Sequence, residues 1–164
     1  MKEEDPLLEL AYEAAKGRLA SQTSALEGFR TRASGILAVA ALVTSFSAGL
    51  GLINTGSAKG AVLPEWAPWT LLGILLVMGA LAFTILLPTR SWVHGPSAGK
   101  LMELRENMES EKDAKVFVVN AMVEAQKENS AYLTRRAWAY RAAVLLLLAE
   151  ILVLVAAVAQ AQSA

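Results

Sequence analysis

The sequence predicts an all-α fold: an integral membrane helical bundle with three transmembrane helices, two of them extended into the cytoplasm as coiled-coil-like helices. Three observations predict it. Of 164 residues, 55% are hydrophobic and only 18% charged, a balance too apolar for an ordinary soluble domain. Two charge-free runs, 26 residues between Arg32 and Lys59 and 24 between Glu65 and Arg90, each exceed the roughly 20 residues that cross the hydrocarbon core as helix. Heptad-spaced apolar residues lead into the first run and into a third apolar stretch near the C-terminus, as in coiled-coil seams. A soluble bundle is the rival reading. Its helices usually keep a polar stripe, and these runs have none.

The first element is a cytoplasmic amphipathic helix over 6–33. Asp5 before Pro6 is a helix start, the carboxylate capping free amides and the proline suiting the first helical position. Two rows repeat every seven residues: Leu8, Ala15, Phe29 and Ile36, interrupted at Gln22, and Tyr12, Leu19, Leu26, Ala33 and Ala40. The seam runs without a break into transmembrane helix 1, expected over 34–54. The first 32 residues are charged and carry no signal-peptide pattern, so this span is expected to be an uncleaved anchor. Its Ala41, Thr44, Ser45, Ser47 and Gly49 suit close helix approach in lipid.

Asn54, Gly56 and Gly60 mark an outer loop, expected over 55–67, and Pro64 and Pro68 frame the entry to transmembrane helix 2, expected over 68–88 and ended by Pro88. The stretch 89–141 is expected as a cytoplasmic linker and helical segment. Within it, HGPSAGK (94–100) superficially resembles a phosphate loop. Only three residues separate Gly95 from Gly99 and Leu101 follows the lysine, which excludes a Walker-type site. A charged helix is expected near Leu101 to Glu111. A second seam then follows through Val116, Val119, Val123, Gln126, Ser130, Leu133, Ala137, Tyr140 and Val144. Gln22, Gln126 and Ser130 are the polar members of the two seams. Both helices are expected to enter the membrane side by side from the same face.

Transmembrane helix 3, over 142–160, is the weakest of the three because Glu150 interrupts it. Its eleven Leu, Ile and Val residues contribute about −0.3 to −0.6 kcal/mol each at central positions, against about +2.5 to +3.5 for an acidic residue, so insertion remains favourable. Glu150 lies near the middle of the span, where an ionised carboxylate without a partner is very costly. No lysine or arginine lies at that depth. The expectation is a neutral glutamic acid hydrogen-bonded to Thr44 or Ser45, with a proton- or ion-path role as the alternative.

Charge sets the expected orientation. Five Lys and Arg residues precede the first span, nine lie between the second and third, and only Lys59 sits in the short loop. The positive-inside rule then places the N-terminus and 89–141 in the cytoplasm and the C-terminus outside, in a multi-pass protein of the inner (plasma) membrane. The cluster TRRAWAYR (134–141) fits this, with Arg135, Arg136, Trp138 and Arg141 as interface anchors on anionic lipid. The expected partners are therefore the lipid bilayer, further copies of the chain in a homo-oligomer and a cytoplasmic protein, with no nucleic acid. The chain has no cysteine and one histidine, His94, and nothing has the spacing of a metal site or a catalytic group. No enzyme, no catalytic residue and no cofactor are expected.

Two stretches, SALEGFRTRASGILAVAALVTSF (24–46) and ENSAYLTRRAWAYRAAVLLLLAEIL (128–152), each carry a charged cytoplasmic helix into a span, the second with Asn129 and Glu150. In this layout the chain resembles small bacterial membrane proteins of the SLATT-type and Pycsar-effector-like families of prokaryotic conflict systems. The resemblance implies an oligomeric membrane effector or pore-forming subunit that acts once a cytoplasmic partner or nucleotide signal arrives. A passive membrane scaffold and a small proton-coupled transporter using Glu150 are the alternatives from the residues themselves.

Overall fold

The computed structural model describes residues 5–49, 64, 66–88, 92–107 and 110–163. The described residues form four helices and no strand: α1 (Pro6–Gly49), α2 (Trp66–Leu86), α3 (Ala98–Asn107) and α4 (Glu111–Ser163). They divide between two compact units. Unit 1 comprises Met1–Gly28 with Pro88–Arg135, and unit 2 comprises Phe29–Leu87 with Arg136–Ala164.

In unit 1 the helix starts follow from local chemistry. Asp5 accepts hydrogen bonds from the amides of Leu7 (3.2 Å) and Leu8 (3.4 Å), satisfying two of the first-turn donors. Ser97 does the same for α3, accepting from the Lys100 amide at 3.3 Å. The cap starts α3 three residues before the expected charged helix. Ser110 accepts from Lys112 at 3.2 Å and opens α4. The α1 and α4 stretches of this unit run parallel, since Asp5 pairs with Lys112 at 3.0 Å, Glu9 with Lys115, and Gln22 with Gln126. These contacts join α1 and α4 of the same chain.

Unit 2 packs three helical stretches. Ile36 and Ala40 of α1, Met78 of α2 and Ala143 of α4 form one buried cluster, and Ala67 of α2 with Ala157 of α4 forms another. Residue 67 meets 157 and residue 78 meets 143, so α2 runs antiparallel to α4. Alanine at the contact points allows close backbone approach, the packing that works between helices in lipid. Large apolar side chains point the other way: Leu76, Phe83, Leu145, Leu152 and Val155 are each at least 60% exposed.

Two helices, α2 and the 111–160 part of α4, are long and apolar enough to cross a membrane. Three such helices were expected from the sequence, and α1 does not join them among the described residues. Its described charge-free stretch runs only from Ala33 to Gly49 and includes Ser34, Gly35, Thr44 and Ser45, which shorten and dilute the apolar run. The end of the expected first span, 50–54, and most of the expected outer loop, 55–67, lie outside the described residues. The segment expected to be weakest, around Glu150, passes despite its charge.

The seams show one agreement and one correction. Among the described side chains of α1 the six buried ones, Ala15, Leu19, Leu26, Ala33, Ile36 and Ala40, fall in the two rows read from the sequence. In α4 the buried residues are Val118, Ala125, Asn129, Arg136, Ala143, Glu150 and Ala157, a row centred one residue earlier than the expected Val119–Val123–Gln126–Ser130 line. That line marked the most apolar side chains, whereas the tightest contacts fall on small and polar ones. Val123 and Ser130 are exposed.

Candidate functional site

Glu150 is the most unusual side chain of unit 2. It is 2% exposed and sits one heptad from Ala143 and one from Ala157 on the inward row of α4, between the two apolar clusters. Its Oε2 has no hydrogen-bond partner. Thr44 is half-buried and Ser45 exposed, and among the described residues no hydrogen bond joins either to Glu150. The nearest arginine on its row, Arg136, lies two heptads away, about 21 Å along the helix. A carboxyl in such surroundings is expensive to keep, and packing alone supplies no reason for it.

Polar chemistry is better satisfied in unit 1. The Gln22 amide donates to the Gln126 carbonyl at 3.0 Å, and the Gln126 amide donates to the Ala15 carbonyl at 2.9 Å. These two glutamines, both named from the sequence as seam residues, therefore cross-link α1 and α4 through backbone acceptors. Ser130 does not take part. It is exposed and donates to the Lys127 carbonyl of its own helix at 2.7 Å, the local back-bonding that short hydroxyls favour.

Asn129 was not singled out as a site residue, yet it is fully buried and holds the linker. Its Nδ2 donates to the Val93 carbonyl at 2.8 Å, and its Oδ1 accepts from the Val93 amide at 3.2 Å. Both polar groups of one backbone residue are met by one side chain. Next to it, Gly95 has φ 89°, a left-handed conformation natural to glycine. A side-chain carbon there would stand 3.7 Å from Leu19 and 3.7 Å from Met122, so conformation more than space requires glycine. The sequence offered Asn129 only as one of several amides in this helix, beside Asn120 and Gln126, and its partner lies 36 residues away in a linker.

The four expected interface anchors separate. Arg135 and Arg141 are exposed, and Trp138 is exposed with the Arg141 guanidinium 5.8 Å from its ring centroid, a cation–π arrangement. Arg136 instead turns inward, 8% exposed, and its Nη2 donates to the Leu87 carbonyl at 2.8 Å. It caps the C-terminal end of α2, where a cation meets the negative end of the helix dipole. Burial first, and then the charge of Arg30, holds its pKa below the ordinary arginine value; it stays protonated. Among the described residues no three His, Cys, Asp or Glu side chains gather as metal ligands.

No protein-family model, no curated protein and no solved structure matches the chain.

Proposed function

We propose that the protein is a bacterial multi-pass membrane protein of three spans. Its α1 and α4 enter from the cytoplasm as a parallel coiled coil, and it acts, as a homo-oligomer, as a membrane effector or pore-forming subunit answering a cytoplasmic partner. The membrane part of the reading is supported by the apolar stretches of α2 and α4, of which only 22% and 17% is buried. The core helices of a soluble bundle would be mostly buried, and so large an uncovered apolar surface calls for lipid. The observation that carries the effector part is Glu150. A passive anchor needs no carboxyl in its apolar interior, and an intramembrane ionisable group is by default a functional one.

A scaffold is the second reading. It is favoured by the Gln22–Gln126 seam, which closes within one chain and needs no pore to explain it. Induced expression in a bacterial host, with growth and entry of a membrane-impermeant dye recorded, separates the two. The effector reading expects growth arrest and dye entry with the natural chain and neither with Glu150→Leu. Normal growth and no dye entry at high membrane levels of the natural chain would leave the scaffold. Glu150→Gln tests the transporter alternative: proton coupling is lost in that variant, whereas a hydrogen-bonding role survives.

A further inference from the structure

In unit 1, α1 has two faces of heptad spacing, and one of them is met by α4. Ala15, Leu19 and Leu26 are buried, and the Gln126 amide donates to the Ala15 carbonyl at 2.9 Å. On the opposite side Leu7, Leu10, Ala14, Gly17, Ser21 and Ser24 are all exposed. Their gaps alternate between three and four residues, the spacing of a and d positions in a coiled coil. The two leucines that open the row are 76% and 67% exposed, so its apolar end lies uncovered. Gly17 stands in the middle of the helix, where glycine costs stability relative to alanine. The chain itself does not call for it, since a side-chain carbon there would meet no atom within 4 Å. A second helix laid close against the row supplies the reason.

Charge names that second helix. With Leu7 taken as a, the g positions beside the row are Glu13, Ala20 and Glu27, and the e positions five residues beyond each are Arg18, Ala25 and Arg32. In a parallel coiled coil a g residue faces the e residue of the partner's next heptad. Two copies of α1 side by side therefore set Glu13 against Arg18, Ala20 against Ala25 and Glu27 against Arg32 across the contact, each twice. Antiparallel helices would set g against g and e against e, bringing like charges together in place of opposite ones. The pattern thus fits the parallel orientation, which copies inserted alike in one membrane must share. Glu13 also holds Lys16 of its own helix at 3.5 Å, and a carboxylate has acceptor sites for both cations.

We propose that the outward row of α1, from Leu7 to Ser24, is the interface with a second copy of this chain. The pair is parallel and two-fold symmetric, and each copy keeps its own α4 on the other side of α1. In such a contact each row residue meets its own counterpart across the axis. The interface rests on the homo-oligomer reading above and gives it a surface and an orientation.

The chain has no cysteine, so single-cysteine variants of the full chain report one position each. Ser24→Cys lies on the row, and Asn120→Cys lies at an exposed position of α4. Membranes holding each variant at low expression are oxidised, and disulfide-linked dimer is read on a gel. Ser24→Cys should crosslink readily and Asn120→Cys should not. In the Ser24→Cys chain, Arg18→Glu sets like charges together at two places and should weaken the dimer about 5- to 30-fold, measured as crosslinked fraction against dilution in lipid. Adding Glu13→Arg reverses both signs and should restore it, which a misfolded chain would not do. No crosslink at Ser24→Cys, equal crosslinking at Asn120→Cys, an unchanged dimer in Arg18→Glu, or no recovery with Glu13→Arg would overturn the proposal and leave the row to lipid headgroups or to another protein. Light scattering of the natural chain in uncharged detergent separates the two readings. A multimer whose Ser24→Cys variant fails to crosslink keeps the homo-oligomer and loses this interface, whereas a monomer loses both.

Discussion

Replacing Asn129 by alanine removes both hydrogen bonds that hold the linker at Val93. The structure sets the size of the effect. Each bond, at 2.8 and 3.2 Å, contributes about 0.5 to 1.5 kcal/mol net, and a backbone group left buried without a partner costs about 1 to 3 kcal/mol. Val93 is half-buried, so water recovers part of that loss. Truncating a side chain with no exposed surface also leaves a small void. Together these give about 2 to 4 kcal/mol for Asn129→Ala, at the upper end of ordinary point mutants. The assay is denaturation of the full chain in detergent combined with hydrogen exchange at the Val93 amide. Asn129→Ala should lower stability by that amount and deprotect Val93 selectively. Asn129→Asp keeps the acceptor and loses the donor, so it should retain part of the amide protection. A loss under about 0.5 kcal/mol with Val93 equally protected would refute the clasp.

Gly95→Ala should destabilise by about 1 to 2 kcal/mol, because φ of 89° is unfavourable for an L side chain; denaturation midpoints check it, and an unchanged midpoint would show that the turn relaxes freely. Lys112, by hydrogen bonding, and then the Leu8 amide hold the Asp5 carboxyl below its ordinary pKa of 3.8. Its capping contribution should therefore be complete above pH 3.8 and disappear as pH falls through the lower folded-state value; an NMR titration of the Leu7 and Leu8 amides reads this, and no pH response there would contradict the cap. Glu150→Leu replaces a buried carboxyl lacking a partner at Oε2 with an apolar side chain of similar reach and should leave stability in detergent equal or higher. A loss above about 2 kcal/mol would mean that Glu150 has a hydrogen-bond role.

The α1 seam could be read because its inward positions hold aliphatic residues at strict heptad spacing, Leu19 and Leu26 with Ala33 and Ala40. The α4 seam resisted the same reading. Its inward row includes Asn129, Arg136 and Glu150, which a hydrophobicity pattern discards, so the neighbouring valine line stood out instead. Glu150 itself was conspicuous as one acid in an apolar run, and Gln22 and Gln126 as polar interruptions of apolar rows. Their acceptors were not legible, because the carbonyls of Gln126 and Ala15 carry no side-chain signature. Arg136 looked like its neighbours in TRRAWAYR. What sets it apart is the angle at which α4 presents it to the end of α2, a property of packing that composition does not encode.

The central claim is that unit 2 lies in the membrane with three passes and the N-terminus in the cytoplasm. The most direct measurement is a pair of reporter fusions in a bacterial host, one after Ala164 and one within the linker at His94, using an enzyme active only outside the cytoplasm and a fluorescent protein that matures only inside. The account predicts outside activity at Ala164 and inside fluorescence at His94. Inside fluorescence at Ala164, or recovery of the chain in the soluble fraction, would contradict it.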